Sequence, residues 1–207
     1  MRLYYACRDL NNFGDIVPAY VYEKLGIKTY WTTAEDAEVF AGGSIMQDVS
    51  QYSTVLCCGF GSAEQICKAP RKIYSVRGKL TRDRLLELGI DCPELYKDFV
   101  DFLPYIFNPK IEKRYKIGLL PHYIDYEYCL GLDNEVVIDI CSGVESVIIQ
   151  VLQCETIQTS SLHGIILAQT YGIPWTWVRH NKLASPDFKF QDYFSRIGLK
   201  NMTPELI

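Results

Sequence analysis

Apolar and polar positions along this chain follow two alternating rhythms. Short apolar runs end in glycine-rich or polar turns, and stretches with helical spacing follow them. That layout predicts an α/β protein built on parallel sheets. In the first half, a strand at Arg2 to Ala6 leads through Asn11-Asn12-Phe13-Gly14-Asp15 into a helix from Ile16 to Leu25, closed by Gly26. Asp15 reads as the N-cap of that helix and Pro18 as a first-turn proline. Strands at Val39 to Phe40 and Thr54 to Cys58 run into Ala41-Gly42-Gly43-Ser44 and Gly59-Phe60-Gly61-Ser62. A fourth strand, Lys72 to Val76, ends at Arg77-Gly78, and a helix then runs to about Leu88, before Gly89.

The stretch from Phe99 to Lys116 is weakly patterned and carries Pro104 and Pro109. It divides the chain into an N-terminal half, 1–110, and a C-terminal half, 111–207. The second half reads as strands at Ile117 to Leu120, Val136 to Ile140, Glu155 to Gln158 and Trp175 to Val178, with helices at Val144 to Leu152 and Leu162 to Tyr171. The polar and glycine-rich motifs all follow predicted strands. In open α/β sheets, ligands bind outside the carboxyl ends of the strands. Shared position therefore predicts one composite site.

Thr159-Ser160-Ser161-Leu162-His163-Gly164 is the most informative of these motifs. Ser160 or Ser161 can cap a helix whose interior is apolar and whose end is marked by Gly172 and Pro174. A helix N-terminus offers unpaired N–H groups and partial positive charge, which suits a phosphate or carboxylate. His163 would add a titratable side chain there. Plain capping with a core histidine fits the same residues.

The remaining motifs carry two readings each. Gly14 permits close backbone approach or a positive φ beside Asn12 and Asp15, or simply makes a good turn. Gly43, Ser44 and Gly61 can cradle a ligand through backbone N–H groups, or form bare turns. Arg77, at a strand's carboxyl end, can grip an anion in bidentate fashion, or join a salt bridge. His122, in Pro121-His122-Tyr123, faces the same side, or sits in an ordinary loop. His180 follows the last strand.

Composition narrows the function. Of 207 residues, 48% are hydrophobic and 22% charged, the balance of an ordinary globular protein. A net charge of −4 carries no nucleic-acid footprint. The charged N-terminal residues argue against a signal peptide, and no apolar run reaches the ~20 residues of a transmembrane helix. The eight cysteines show no C-x-x-C spacing, which argues against zinc and for reduced thiols in a cytoplasmic compartment. No metal-binding motif and no Walker loop is present.

Taken in order, Asn12-Phe-Gly-Asp15, Gly42-Gly-Ser44, Gly59-Phe-Gly61, Ser75-Val-Arg-Gly-Lys-Leu-Thr81, Pro121-His-Tyr-Ile-Asp125 and Ser161-Leu-His-Gly164 with Gly172-Ile-Pro174 resemble the polysaccharide pyruvyltransferase family. The resemblance implies two facing Rossmann-like domains, similar to a compact GT-B glycosyltransferase. It implies transfer of the enolpyruvyl carbons of phosphoenolpyruvate to a sugar or glycan acceptor as a cyclic ketal, with no cofactor. His163 and Arg77 match family motifs associated with catalysis and donor binding. Thr159, Ser160 and Ser161 would support the phosphate; Asn12 and Asp15 would contact the acceptor or line the cleft. One departure stands out: the family's Gly-Asp-Pro is Lys97-Asp98-Phe99 here. Two other functions suit the same layout, a nucleotide-sugar glycosyltransferase and a non-catalytic glycan-binding relative.

Overall fold

A computed structural model describes residues 1–6, 10–132, 135–180 and 187–207. It contains two five-stranded sheets, and every strand pairing in both is parallel. The first sheet holds β1 (Arg2–Tyr4), β2 (Tyr30–Trp31), β3 (Val39–Ala41), β4 (Thr54–Leu56) and β5 (Lys72–Ile73). The second holds β6 (Tyr115–Leu120), β7 (Val136–Val137), β8 (Cys154–Thr159), β9 (Trp175–Arg179) and β10 (Glu205–Leu206). The helices are α1 (Phe13–Lys24), α2 (Lys79–Glu87), α3 (Leu103–Ile106), α4 (Tyr126–Cys129), α5 (Val144–Leu152), α6 (Leu162–Thr170) and α7 (Phe188–Arg196).

The two sheets have one topology. The first runs β2-β1-β3-β4-β5 and the second β10-β9-β8-β6-β7. Counted from its own first strand, the second sheet also has the order 2-1-3-4-5, one of the two common doubly wound orders. This order reverses direction between the first and third strands. The rule for open α/β sheets puts ligands at that reversal, outside the carboxyl ends. The switch points are therefore β1/β3 in the first sheet and β6/β8 in the second.

Helical spacing accounts for the packing around the sheets. In α5, the residues Val144, Val147, Ile148 and Val151 are buried, the i, i+3, i+4, i+7 stripe of an amphipathic helix. α6 is buried from Leu162 through Ala168 except at His163, so a single polar residue interrupts an apolar cylinder. Phe40, Val55, Phe60, Val76 and Leu85 anchor the core of the first sheet, and Phe188 of α7 packs against it.

Several boundaries differ from the sequence reading. α1 starts at Phe13, so Asp15 lies in its first turn instead of capping it, and Pro18 sits inside the helix. β4 stops at Leu56 because Cys57 takes a positive φ of 61°. That is rare for a residue with a Cβ and turns the chain out of the sheet. Val76 makes only isolated bridges, to Cys58 and Tyr96. The connector after Phe99 contains a 3-10 turn and α3.

The two compact units are not contiguous halves. The first comprises residues 1–8, 15–99 and 186–202, the second 9–14, 100–185 and 203–207. The sequence division at 110 thus moves to Phe99, and two segments change sides. The physical reason for the larger exchange is α7, which the apolar pattern did not reveal. Its Asp192 enters the first unit as the partner of Arg77 and Thr81.

Candidate functional site

The switch point of the second sheet is pinned by hydroxyls. Thr159, the last residue of β8, is fully buried, and its Oγ1 donates to the Leu120 carbonyl of β6 at 2.6 Å. The same oxygen accepts from the Ser161 N–H at 3.1 Å. Thr159 therefore locks the two central strands and starts the turn into α6. Ser160 accepts from the His122 N–H at 2.9 Å and donates to the Asp125 carboxylate at 3.3 Å. With its proton committed to Asp125, Ser160 fixes the loop after β6. Its proton is not directed at a bound anion. Ser161 is buried and stands at the N-cap of α6 with no side-chain capping bond. The His122 ring accepts from the Ile124 N–H at 3.4 Å, so it caps the short turn at Tyr123–Asp125.

His163 is the second residue of α6 and is half-buried. Gly14 lies directly beneath it. A Cβ built at Gly14 would overlap the His163 ring. Gly14 was predicted to allow positive φ or close approach; close approach is the reason here. The segment holding Gly14 joins the second unit through Phe13, whose N–H donates to Ile140 at 3.0 Å, and through Asn11, whose amide donates to Cys141 at 3.3 Å. Asn12, between them, is half-buried. Gly14→Ala is expected to displace the imidazole and cut turnover at least tenfold while leaving ligand affinity within a few-fold. Single-turnover kinetics alongside a binding titration check this.

In the first unit, Gly42 and Gly43 leave β3 with φ of 67° and 75°, a left-handed turn that favours glycine. Ser44 follows, and its Oγ accepts from Arg77 Nη1 at 2.7 Å. Arg77 is wholly buried. Its Nη2 donates to the Phe60 carbonyl at 2.7 Å and its Nε to Asp192 at 3.2 Å. Gly59 and Gly78 make room for this arrangement: a Cβ at Gly59 would overlap the guanidinium, and one at Gly78 the Asp192 backbone. Each guanidinium nitrogen thus has a protein partner. Arg77 organises the edge of the first sheet by holding three chain segments together.

Asp192 also supplies what Gly78 lacks. Gly78 is the N-cap of α2 and has no side chain to cap it. Asp192 accepts from the Thr81 N–H and Thr81 Oγ1, both at 2.8 Å, and Ser195 accepts from the Lys79 N–H at 3.1 Å. α7 therefore caps α2 from more than a hundred residues away. Gly61, expected to offer its N–H to a ligand, instead donates to Gln65 Oε1 at 2.6 Å, as Ser62 does at 3.2 Å.

Sequence reasoning missed Lys189. This half-buried lysine lies in the first turn of α7, where the helix dipole disfavours a cation. Burial, then the nearby Arg77 charge, pushes its amine down to about 8, against the opposing pull of Asp15. Asp15 is itself buried beside Gly43. Because the folded pKa is depressed, the unfolded chain binds the extra proton between about pH 8 and the usual lysine range. Stability should therefore rise with pH across that window. Thermal unfolding from pH 7 to 10, compared with Lys189→Met, checks this: the rise should be smaller in the variant. A lone lysine in an aromatic-rich segment had given no sequence signal.

Among the described residues, no cluster of His, Cys, Asp or Glu is placed to hold a metal ion. No described helix is long and apolar enough to cross a membrane. Cys57, Cys58, Cys67, Cys92, Cys129, Cys141 and Cys154 are free thiols. His180 is buried against Cys129, with Nε2 3.2 Å from Sγ. Burial lowers the His180 pKa and raises that of Cys129 to about 11, so this pair is a neutral core contact.

Fold and site together define a doubly wound α/β protein with polar loops at the carboxyl edges of two like sheets. The family model described as polysaccharide pyruvyl transferase matches residues 62–182, and the chain belongs to that family. It is 31% identical over 215 residues to an uncharacterized protein of Acanthamoeba polyphaga mimivirus, covering 96% of this chain and 75% of that protein. It is 27% identical over 217 residues to the succinoglycan biosynthesis protein ExoV of Rhizobium meliloti, covering 96% of this chain and 66% of that protein. No solved structure gives a significant match.

Proposed function

We propose that this protein transfers pyruvate from phosphoenolpyruvate to two hydroxyls of a sugar in a polysaccharide or its precursor, forming a ketal. Family membership supports pyruvylation of a polysaccharide. The observation that carries the catalytic reading is the seating of His163 on Gly14. A polar ring at the start of an otherwise apolar helix, fitted against a glycine beside the β6/β8 switch point, supports that reading.

The reaction makes three demands. The methylene carbon of the donor gains a proton, which makes C2 electrophilic. Two hydroxyl oxygens bond to C2 in turn, each losing its proton. The C2–O bond to phosphate breaks, and phosphate leaves. His163 is suited to the first step, because imidazole exchanges protons near neutral pH. The N-terminal N–H groups of α6 suit the donor's anionic groups, with Ser161 at the cap. Thr159 and Ser160 act as positioning residues through the bonds that fix this turn. Arg77 is assigned a positioning role as well, since its nitrogens are engaged within the protein.

The test is phosphate release from phosphoenolpyruvate in the presence of candidate glycans, with uridine and guanosine diphosphates as competing ligands. Phosphoenolpyruvate-dependent release coupled to acid-labile pyruvate on the glycan supports the proposal. Tight nucleotide binding without release favours a nucleotide-sugar transferase.

A further inference from the structure

The loop that leaves β4 turns its own side chains onto its own backbone donors. Gly61 and Ser62 each donate a backbone N–H to Gln65 Oε1, at 2.6 and 3.2 Å. Only the oxygen of a side-chain amide can accept from a backbone N–H, so these bonds fix which way the Gln65 amide faces. The Glu64 carboxyl is held below its usual range by hydrogen bonds from its own N–H and from the Ser62 side chain. The loop thus meets its donors with one amide oxygen and one carboxylate, both supplied locally.

The rest of this backbone is pinned by other segments of the first unit. The Phe60 N–H donates to Thr81 Oγ1 at 3.2 Å, and the Gly59 N–H to the Gly43 carbonyl at 2.9 Å. Arg77 Nη2 donates to the Phe60 carbonyl at 2.7 Å. That carbonyl and the Gly61 N–H belong to one peptide group, so the guanidinium polarises it and strengthens Gly61 as a donor. The side that Gln65 covers is open by comparison: Gly61, Ser62 and Gln65 are half-buried and Glu64 is exposed. A Cβ at Gly61 would lie 3.3 Å from Gln65 Oε1, so glycine keeps the approach to this N–H close.

Successive backbone N–H groups converging on one point make a concavity suited to anions. Here a neutral amide oxygen takes that point. Hydrogen bonds to an ionised acceptor are about twice as strong as those to a neutral one. A phosphate carries enough oxygens for both N–H groups, the Ser62 hydroxyl and the Glu64 N–H. The displaced Gln65 and Glu64 side chains would pass into water, which hydrates both. The loop lies at the carboxyl edge of the first sheet, where doubly wound proteins bind ligands.

We propose that the Gly61–Ser62 turn is a phosphate-binding site, and that the side chains of Glu64 and Gln65 occupy it until a phosphate-bearing ligand displaces them. The site shares no residue with the turn before α6 and does not rest on the pyruvyl-transfer reading.

Amide 1H–15N spectra of the full chain, titrated with inorganic phosphate, test it. In wild type the Gly61 and Ser62 resonances should move saturably. Gln65→Ala should tighten this binding by about threefold or more, because the internal competitor is gone. Gln65→Glu should weaken it by about tenfold or more, because a carboxylate holds the same donors more strongly and repels the ligand. Pyrophosphate in a parallel titration separates two sources of the group. Tighter binding than phosphate supports a diphosphate ligand, and equal or weaker binding a phosphate monoester. Weaker phosphate binding in Gln65→Ala overturns the inference and makes Gln65 a scaffold. A response confined to Ser161, Leu162 and His163 overturns it too, and leaves the donor site on α6 standing. Should Gln65→Ala fail to fold, Gln65→Glu keeps both bonds and carries the test: unchanged affinity refutes the site. A response at Gly61 and Ser62 without any phosphate release from phosphoenolpyruvate would sink pyruvyl transfer and leave this site in place.

Discussion

Replacing His163 by alanine is expected to lower kcat by about 100- to 10,000-fold, the usual contribution of a positioned general acid or base. The affinity for phosphoenolpyruvate should change by only a few-fold, because the ring's role belongs to proton transfer and not to holding the anion. Phosphate release under saturating donor, beside a calorimetric donor titration, separates the two quantities. A large loss of donor affinity with kcat preserved would make His163 a binding residue. The result bears on the fold as well, because Gly14 has no other evident reason to be glycine than the ring above it. His163→Ala and Gly14→Ala should therefore lower the same step and combine less than additively, as groups acting as one unit do.

Asp192→Ala is expected to have the largest effect on stability. It removes the only anionic partner of Arg77 among the described residues, a side chain with no exposure, and both hydrogen bonds that Asp192 accepts from Thr81. Breaking a buried ion pair from one side costs about 3–5 kcal/mol, because the remaining charge stays buried and uncompensated. For a chain of this length that corresponds to a fall in Tm of about 6–20 °C. Differential scanning calorimetry measures it, and a shift below 2 °C would show that Arg77 finds another partner. The double variant Asp192→Leu with Arg77→Met should recover part of the loss, since apolar replacement of a whole buried pair is often tolerated. Such recovery would confirm that the cost lies in the orphaned charge.

These two residues also show what was legible beforehand. The place of His163 in the first turn of a helix was legible in the sequence because the signals for that helix are local. Capping serines precede it, an apolar run follows it, and Gly172 with Pro174 ends the helix. The place of Arg77 at a strand end was legible as well, but its partners were not. A bidentate grip on a ligand and a buried grip on Asp192 look the same until the partner is known. That partner lies 115 positions away. Lys189 was missed for a similar reason: it is unremarkable alone, and its meaning comes from burial and from the charges beside it.

The sequence by itself determined the α/β class, the parallel strands, most helix ends and the clustering of polar motifs after strands. All of these follow from periodicity and from the turn chemistry of glycine and proline, which act over a few residues. Only the tertiary structure decided the twin 2-1-3-4-5 topology, the return of α7 to the first unit and the reasons behind Gly14, Gly59 and Gly78. Those depend on contacts between residues far apart in the chain. A contact of that kind leaves its mark on a single sequence as one missing Cβ or one buried charge, and neither can be read until its partner is in place.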